Sequence, residues 1–146
     1  MAKILIVEDY KPILELYKIA FKGIHQVRDA STMEDAEDKL SREGFDFVIL
    51  DSLTDRRKGA LYSGGIAILE RIRAGEYQPL NPGTLPALMV SGHEENSSIA
   101  KRARMLGAIY LKKGGSIDVV TAISKLLGNE AVEGTLDLEK ISGVYD

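Results

Sequence analysis

The sequence contains no cysteine, which excludes disulfide bonds, thiolate catalysis and cysteine-ligated metal sites. It also has no excess of basic residues, since 19 lysines and arginines are balanced by 22 aspartates and glutamates, giving a net charge of -3. This balance disfavours direct DNA binding by the chain. The N-terminal apolar run, residues 4–7, is interrupted by Glu8 and Asp9 and is too short for a membrane span or a signal-peptide core. We therefore expect a cytoplasmic protein that binds neither DNA nor a membrane.

The length and composition are those of one globular domain. The chain has 146 residues and is 45% hydrophobic, which is enough for a substantial core. We expect the domain to span residues 1–128. Residues 129–146 contain five acidic residues and a single lysine, and we interpret them as an acidic C-terminal tail that is too short to form a second domain.

Apolar runs alternate with helical apolar stripes along the chain. The runs predict strands over residues 3–7, 24–30, 45–51, 87–90 and 108–111. The stripes, with apolar residues at three- and four-residue spacing, predict helices over residues 13–21, 33–40, 66–72, 99–106 and 119–127. Strict alternation of strands and helices implies right-handed crossovers, and hence an α/β fold with a parallel sheet covered by helices on both faces.

Two connections and one helix start have distinctive sequences. Ser31 and Glu34 have the spacing of a capping box, which predicts that the second helix starts at Ser31. Residues 52–64 include the basic cluster 56–58 and, counted with Gly65, three glycines, so we interpret them as a long exposed loop. Three of the four prolines fall in residues 79–86, which predicts a rigid loop.

Polar residues stand at the ends of four of the predicted strands. Glu8 and Asp9 follow the first, Asp51 ends the third and Ser91 follows the fourth. A pair of lysines, residues 112–113, follows the fifth. Because parallel strands end at the same edge of a sheet, and ligands bind at that edge in open α/β folds, these groups are predicted to form one site.

The residue types suggest phosphoryl chemistry at Asp51. Two carboxylates about 5 Å apart repel by roughly 3 kcal/mol at an effective dielectric near 20, so a cluster of three requires a cation or a proton. Carboxylate oxygens favour Mg²⁺, and beside a metal and a lysine Asp51 can attack a phosphoryl group. Ser91 can then donate a hydrogen bond to an oxygen of the acylphosphate.

With these residues in this order, the chain resembles the receiver domain of two-component response regulators over residues 2–128. The resemblance implies a flavodoxin-like doubly wound five-stranded parallel sheet in the order 2-1-3-4-5. It also implies a metal site, in which Glu8 and Asp9 are the acidic pair that binds Mg²⁺ together with Asp51 and the main-chain carbonyl of Leu53. In the same resemblance, Asp51 is the phosphoacceptor and Lys113 is the catalytic lysine. Ser91 is the switch hydroxyl and Tyr110 is the switch aromatic.

The same resemblance implies a signalling function. A single-domain receiver of the chemotaxis type accepts a phosphoryl group on Asp51 from a phosphohistidine of a sensor kinase or a phosphotransfer protein. It signals through a changed surface of the fourth and fifth helices and the fifth strand, towards a downstream protein or a relay. It catalyses only its own phosphorylation and dephosphorylation, and we expect a monomer or a weak homodimer.

Three features depart from the receiver pattern. A basic loop, residues 52–64, replaces the Met-Pro that usually follows the phosphoacceptor, and Gly114 replaces the proline that usually follows the lysine. The segment before Tyr110 is one residue short, which leaves the assignment open between Lys113 and Lys112. We interpret Lys112 as a solvated charge.

Two other functions are compatible with parts of this pattern. A pseudo-receiver would act as an interaction module without phosphorylation, although the acidic pair and the lysine argue against it. A phosphatase of the haloacid-dehalogenase type would also use an aspartate nucleophile, but it requires a second aspartate where this chain has Leu53. His25 and His93 are assigned no catalytic role, although His93 lies close enough to Ser91 to tune access of water.

Overall fold

The computed structural model describes residues 1–51, 64–94 and 96–112. The strands are β1 (Lys3–Val7), β2 (Gln26–Ala30), β3 (Phe47–Asp51), β4 (Ala87–Ser91) and β5 (Ile109–Lys112), and the helices are α1 (Lys11–Phe21), α2 (Met33–Arg42), α3 (Gly64–Arg73) and α4 (Ser98–Met105). The predicted fifth helix, the tail over 129–146 and all but the last residue of the loop over 52–64 lie outside the described residues. No described helix combines the length and the apolar content that a membrane crossing requires.

The five strands form one parallel sheet in the order β2-β1-β3-β4-β5, which confirms the predicted topology. The central strands pair with Val7 opposite Leu50 and Asp51 opposite Val90. At the far edge, Ser91 lies opposite Lys112. Consecutive parallel strands require a crossover, and each described helix provides one. The register therefore brings the carboxyl ends of β1, β3, β4 and β5 to a common edge.

Helices cover both faces of the sheet, as the alternating sequence pattern predicted. Leu5 of β1 faces an apolar layer formed with α2, α3 and α4. The next residue, Ile6, points to the opposite face and packs in a second layer with α1. Each fully buried Ile or Leu side chain contributes about 2 kcal/mol. Both apolar layers extend to the residues next to the strand ends, such as Val7, Leu50 and Val90. The packed core therefore holds the backbone at the positions that carry Glu8, Asp51 and Ser91.

The start of α2 differs from the capping-box prediction by one residue. The N-cap is Thr32, whose side chain accepts a hydrogen bond from the amide of Asp35. Thr32 has the extended backbone conformation that an N-cap adopts, and Asp35 stands three residues later, so this pair satisfies an amide at the helix end. The prediction that Ser31 and Glu34 form the cap is therefore wrong.

The proline-rich connection between α3 and β4 is held by a buried asparagine that the sequence pattern did not reveal. Asn81 is completely buried. Its Oδ1 accepts from the Phe45 amide at 2.9 Å, and its Nδ2 donates to the carbonyls of Leu40 and Glu43, each at 2.7 Å. One side chain thus satisfies three main-chain groups at the junction of α2 and β3.

We expect Asn81→Ala to lower the free energy of unfolding by about 3 kcal/mol, because it leaves several buried main-chain groups without partners. Urea denaturation measures this change. Asn96→Ala is the matched control, since Asn96 is exposed before α4 and its replacement should alter stability by less than about 0.5 kcal/mol. Equal effects of the two variants would contradict the assignment.

Candidate functional site

Three carboxylates converge at the carboxyl edge of the sheet. Glu8 and Asp9 directly follow β1, and Asp51 is the last residue of β3. Since Val7 pairs with Leu50, the next position along each strand brings Glu8 beside Asp51. Carboxylate oxygens of Glu8, Asp9 and Asp51 lie within 4.8 Å of one another. The structure thus brings together the three side chains that the sequence assigned to a metal site.

The burial of this carboxylate cluster makes its charge costly. Glu8 is 2% exposed and Asp51 is 6% exposed, whereas Asp9 is open to solvent. At separations below 4.8 Å, each like-charge pair repels by about 3 kcal/mol at an effective dielectric near 20. Mg²⁺ prefers oxygen ligands and keeps several of its waters. The three carboxylates supply oxygen ligands, and the exposed side of Asp9 leaves room for water, so the cluster matches both preferences. The cluster therefore fits a divalent cation held by carboxylates.

Gly65 at the start of α3 lies directly against the backbone of Asp51. A Cβ atom at this position would lie 3.2 Å from the Asp51 carbonyl carbon and 3.1 Å from Met89 Cε, and it would overlap the Asp51 carbonyl oxygen. Only a residue without a side chain allows the first turn of α3 to approach the end of β3 this closely. In the sequence, the glycines near this position indicate only a loop, and no local pattern points to the contact between Gly65 and Asp51.

Ser91 and Tyr110 are joined through the main chain of one residue. Ser91 is completely buried, and Tyr110 is 5% exposed. The His93 amide donates to Ser91 Oγ at 3.2 Å, and the Tyr110 hydroxyl donates to the His93 carbonyl at 2.5 Å. The guanidinium of Arg104 stands 5.4 Å from the centre of the Tyr110 ring. The connection between β4 and α4 therefore links the predicted switch hydroxyl to the predicted switch aromatic.

The role of His93 differs from the one considered from sequence. The sequence suggested that the imidazole could tune access of water, but this side chain is exposed and the described contacts of His93 run through its peptide groups. Main-chain hydrogen bonds leave no signature in residue type, so no sequence pattern pointed to this link.

We expect Tyr110→Phe to loosen the connection between β4 and α4, because it removes the bond that holds the His93 carbonyl. Amide exchange at residues 92–94 should accelerate about tenfold, corresponding to about 1.4 kcal/mol of local opening free energy. Tyr77→Phe is the matched control, since the Tyr77 hydroxyl bonds Glu37 at 3.3 Å between α2 and the connection that follows α3. Acceleration at residues 92–94 in both variants, or in neither, would contradict the link.

The sequence left the catalytic lysine open between Lys112 and Lys113, and the structure describes only Lys112. Lys112 ends β5 opposite Ser91, and its Nζ lies 2.7 Å from Glu94 Oε1 at the surface. Both side chains are substantially exposed, so this ion pair contributes little stability. Lys113, assigned as the catalytic lysine, and the Leu53 carbonyl, assigned as a metal ligand, lie outside the described residues.

His25 does not belong to this site. It precedes β2, at the opposite edge of the sheet, and its Nδ1 accepts a hydrogen bond from the Ala2 amide at 3.1 Å. Burial lowers the pKa of His25 below its ordinary value of 6.5. The fold thus favours the neutral imidazole, and protonation opposes folding.

The sign of this shift predicts a pH dependence of stability. A depressed histidine pKa stabilises the fold above pH 6.5, and the contribution is lost as the pH falls below that value. We expect the urea midpoint to decrease between pH ~7.5 and ~5.5, and His25→Gln to flatten the decrease. A slope that is independent of His25 would contradict this assignment.

Comparison with solved structures identifies the architecture. The receiver domain of a Francisella response regulator superimposes with a TM-score of 0.69 at 21% identity, covering 88% of this chain and 98% of that one. The chain has the receiver-domain fold of response regulators. A putative response regulator from Chloroflexus aurantiacus gives a TM-score of 0.67 at 26% identity, with 88% of this chain and 98% of that chain covered. A CheY-like receiver protein from Methanospirillum hungatei is similar, with a TM-score of 0.67 at 23% identity and coverage of 88% and 94%.

The likeness to receiver domains lies in the structure more than in the sequence. No family model matches the chain, and no curated protein matches it significantly. The receiver fold nevertheless confirms the resemblance that the strand-end residues suggested. In this fold the carboxylate cluster occupies the carboxyl edge, where ligands of doubly wound sheets bind.

Proposed function

We propose that the chain is a response-regulator receiver whose phosphoacceptor is Asp51. The observation that carries the proposal is the convergence of the Glu8, Asp9 and Asp51 carboxylate oxygens within 4.8 Å at the carboxyl end of the central strands. The receiver-domain fold supports a signalling role rather than that of a classical enzyme. Among the three carboxylates, Asp51 is the one that ends a strand buried along its entire length.

The proposed reaction is a reversible transfer of a phosphoryl group. A carboxylate oxygen of Asp51 attacks the phosphorus of a phosphohistidine in a sensor kinase or a phosphotransfer protein. The new P–O bond forms as the P–N bond breaks, and the imidazole departs with the bonding electron pair and takes a proton from solvent. Hydrolysis ends the signal: water attacks the phosphorus and loses a proton to solvent, the P–O bond to Asp51 breaks, inorganic phosphate leaves, and the Asp51 carboxylate is restored.

The residues around Asp51 have distinct proposed roles. Glu8 and Asp9, together with Asp51, would hold Mg²⁺, which when bound supplies positive charge beside the phosphoryl oxygens. The buried Ser91 hydroxyl donates a hydrogen bond to a phosphoryl oxygen, which is worth about 1.5 to 3 kcal/mol when the acceptor is charged. Lys113 pairs with another phosphoryl oxygen, as the sequence resemblance implies.

The output of this reaction is a change at the surface of α4 and β5. To donate its hydroxyl hydrogen to the phosphoryl group, Ser91 Oγ would turn towards Asp51, which would change the hydrogen bond that Oγ accepts from the His93 amide at 3.2 Å. The Tyr110 hydroxyl donates to the His93 carbonyl at 2.5 Å. Movement of the connection between β4 and α4 would therefore displace Tyr110 and change the surface formed by α4 and β5. A downstream protein or a relay partner reads the altered surface.

Intact-mass spectrometry tests the proposal. The full chain is incubated with MgCl₂ and acetyl phosphate or phosphoramidate, and the gain of one phosphoryl group is expected. Asp51→Asn should abolish the gain, and EDTA should abolish it in the wild type. Asp38→Asn is the matched control, because Asp38 lies on α2 and pairs with Arg42 at 3.0 Å.

Two other results would indicate a function different from the proposed one. A stable fold with no phosphoryl gain from either donor would indicate a pseudo-receiver, which acts as an interaction module. Multiple-turnover hydrolysis of phosphomonoesters would indicate a phosphatase of the haloacid-dehalogenase type. A gain that persists in Asp51→Asn would show that another residue is the acceptor.

A further inference from the structure

The exposed side of α4 concentrates positive charge in a chain whose net charge is -3. The helix contains Lys101, Arg102 and Arg104 and no acidic residue. All three cations are exposed, as is Met105 at 77%. Arg102 approaches Glu70 of α3 at 3.6 Å, in a pair that is open to solvent on both sides. We call the surface formed by Lys101, Arg102 and Arg104 the α4 basic surface.

A cavity of about 440 Å³ adjoins the C-terminal end of α4. It lies where β4 and β5 begin, which is the sheet edge opposite to Asp51. Its size is within the range of ligand-binding pockets. Its lining combines a guanidinium, a hydroxyl, main-chain groups and two apolar side chains: Arg73, Gly83, Thr84, Met105, Leu106 and Gly107.

Arg73 gives this cavity its charge. Its Nε donates to the Leu106 carbonyl at 2.5 Å, and its Nη1 donates to the carbonyls of Gly83 and Leu85 at 2.9 and 2.6 Å. Within the ranges that the structure describes, no carboxylate contacts this guanidinium. Burial lowers the pKa of Arg73. A half-buried cation bonded only to carbonyls retains a net positive charge, which an anionic ligand would offset.

The cavity and the α4 basic surface are continuous through Met105, which lines the cavity and is also exposed on α4. A small anion would contact Arg73 alone and would not extend to the exposed cations of α4. An extended acidic segment would place carboxylates on both. The exposed Met105 and the neighbouring Leu106 offer an apolar contact between the two charged regions, as in protein interfaces with an apolar centre and a polar rim.

We propose that this cavity and the α4 basic surface bind an acidic segment of a partner protein that carries an apolar side chain. The apolar side chain packs against Met105 and Leu106 at the mouth of the cavity. One carboxylate pairs with the Arg73 guanidinium, and others follow the cations of α4. The cavity lies at the opposite edge of the sheet from Asp51, whereas the α4 basic surface belongs to the surface of α4 and β5 that the proposed phosphorylation alters, so this part of the inference rests on the proposed function. Binding to the unphosphorylated chain tests the site separately from phosphoryl transfer to Asp51.

Fluorescence anisotropy with a defined probe tests the proposal on the full chain. The probe is the fluorescein-labelled peptide EDELFDEE, which should bind saturably and more weakly as salt is added. The peptides KKKLFKKK and EDESSDEE test the charge and the apolar residues separately, and neither should bind as well. In a ¹⁵N-labelled chain, the Arg73 Nε resonance should shift during the titration.

Matched charge reversals on two helices locate the binding site. Lys101→Glu with Met105→Glu should weaken binding of EDELFDEE about tenfold or more. Lys22→Glu with Ile19→Glu makes the same charge change at an exposed lysine and an exposed apolar residue around α1, and it should have little effect. Circular dichroism checks that both variants fold.

Three results would overturn the proposal. The first is no saturable binding of EDELFDEE to the wild type. The second is an equal loss of binding in both double variants, which would indicate non-specific attraction. The third is a large gain in probe affinity when the tail is neutralised by Glu133→Gln, Asp137→Asn and Glu139→Gln, because the acidic tail of the chain would then be the occupant.

Discussion

Replacing Gly65 by alanine is expected to reduce phosphorylation of Asp51 by acetyl phosphate about tenfold and to lower the free energy of unfolding by about 2 kcal/mol. The new methyl group would overlap the carbonyl oxygen of Asp51 and would lie 3.2 Å from its carbonyl carbon. Backbone atoms cannot rotate away as a flexible side chain can. Either α3 moves outward or the end of β3 shifts, and both movements displace the nucleophile.

Gly92→Ala is the control for the predicted loss of unfolding free energy in Gly65→Ala. A Cβ atom at Gly92 meets nothing within 4 Å, so the substitution should leave the urea midpoint close to that of the wild type. Intact mass and urea denaturation are measured on both variants. If Gly65→Ala is labelled and unfolds like the wild type, α3 does not constrain Asp51 as the structure indicates.

Neutralising one member of the carboxylate cluster is expected to have opposite effects with and without Mg²⁺. In EDTA, Asp9→Asn should raise the Tm by about 4 °C, because it removes two repulsive pairs, which solvent around the exposed Asp9 reduces to about 1 kcal/mol in total. In excess Mg²⁺ the wild type should gain about 5 °C, and the variant should gain much less because a ligand is missing.

Asp38→Asn serves as the control for general charge effects, since Asp38 is an exposed residue of α2. This variant should retain the full Mg²⁺ response and show no rise of Tm in EDTA. Differential scanning calorimetry measures all three proteins under both conditions. An unchanged Mg²⁺ response in Asp9→Asn would exclude Asp9 from the metal site.

The fold was predictable because its strands are short, apolar and separated by amphipathic helices. Asp51 illustrates the reasoning: the buried run before it predicts a central strand, and the position at the end of that strand predicts the sheet edge. Topology then brings Glu8 to the same place through the pairing of Val7 with Leu50. Strand order and register thus place side by side two carboxylates that are far apart in the sequence.

Other features were not predictable because they depend on main-chain geometry. His93 links Ser91 to Tyr110 through its peptide groups, and any residue type except proline could supply them. Asn81 satisfies main-chain groups that are distant in sequence, which a local pattern does not encode. Gly65 matters through the absence of a side chain beside one carbonyl. Such contacts become visible only when the packed backbone is known.

Reduction of the phosphorylated protein with borohydride tests the central claim most directly. Borohydride converts an aspartyl phosphate to homoserine, whereas a free carboxylate is not reduced. After treatment with acetyl phosphate, Mg²⁺ and borohydride, peptide mass spectrometry should find homoserine in place of Asp51 and at no other aspartate. Homoserine at a different aspartate, or none in a protein that has gained a phosphoryl group, would contradict the assignment of Asp51 as the phosphoacceptor.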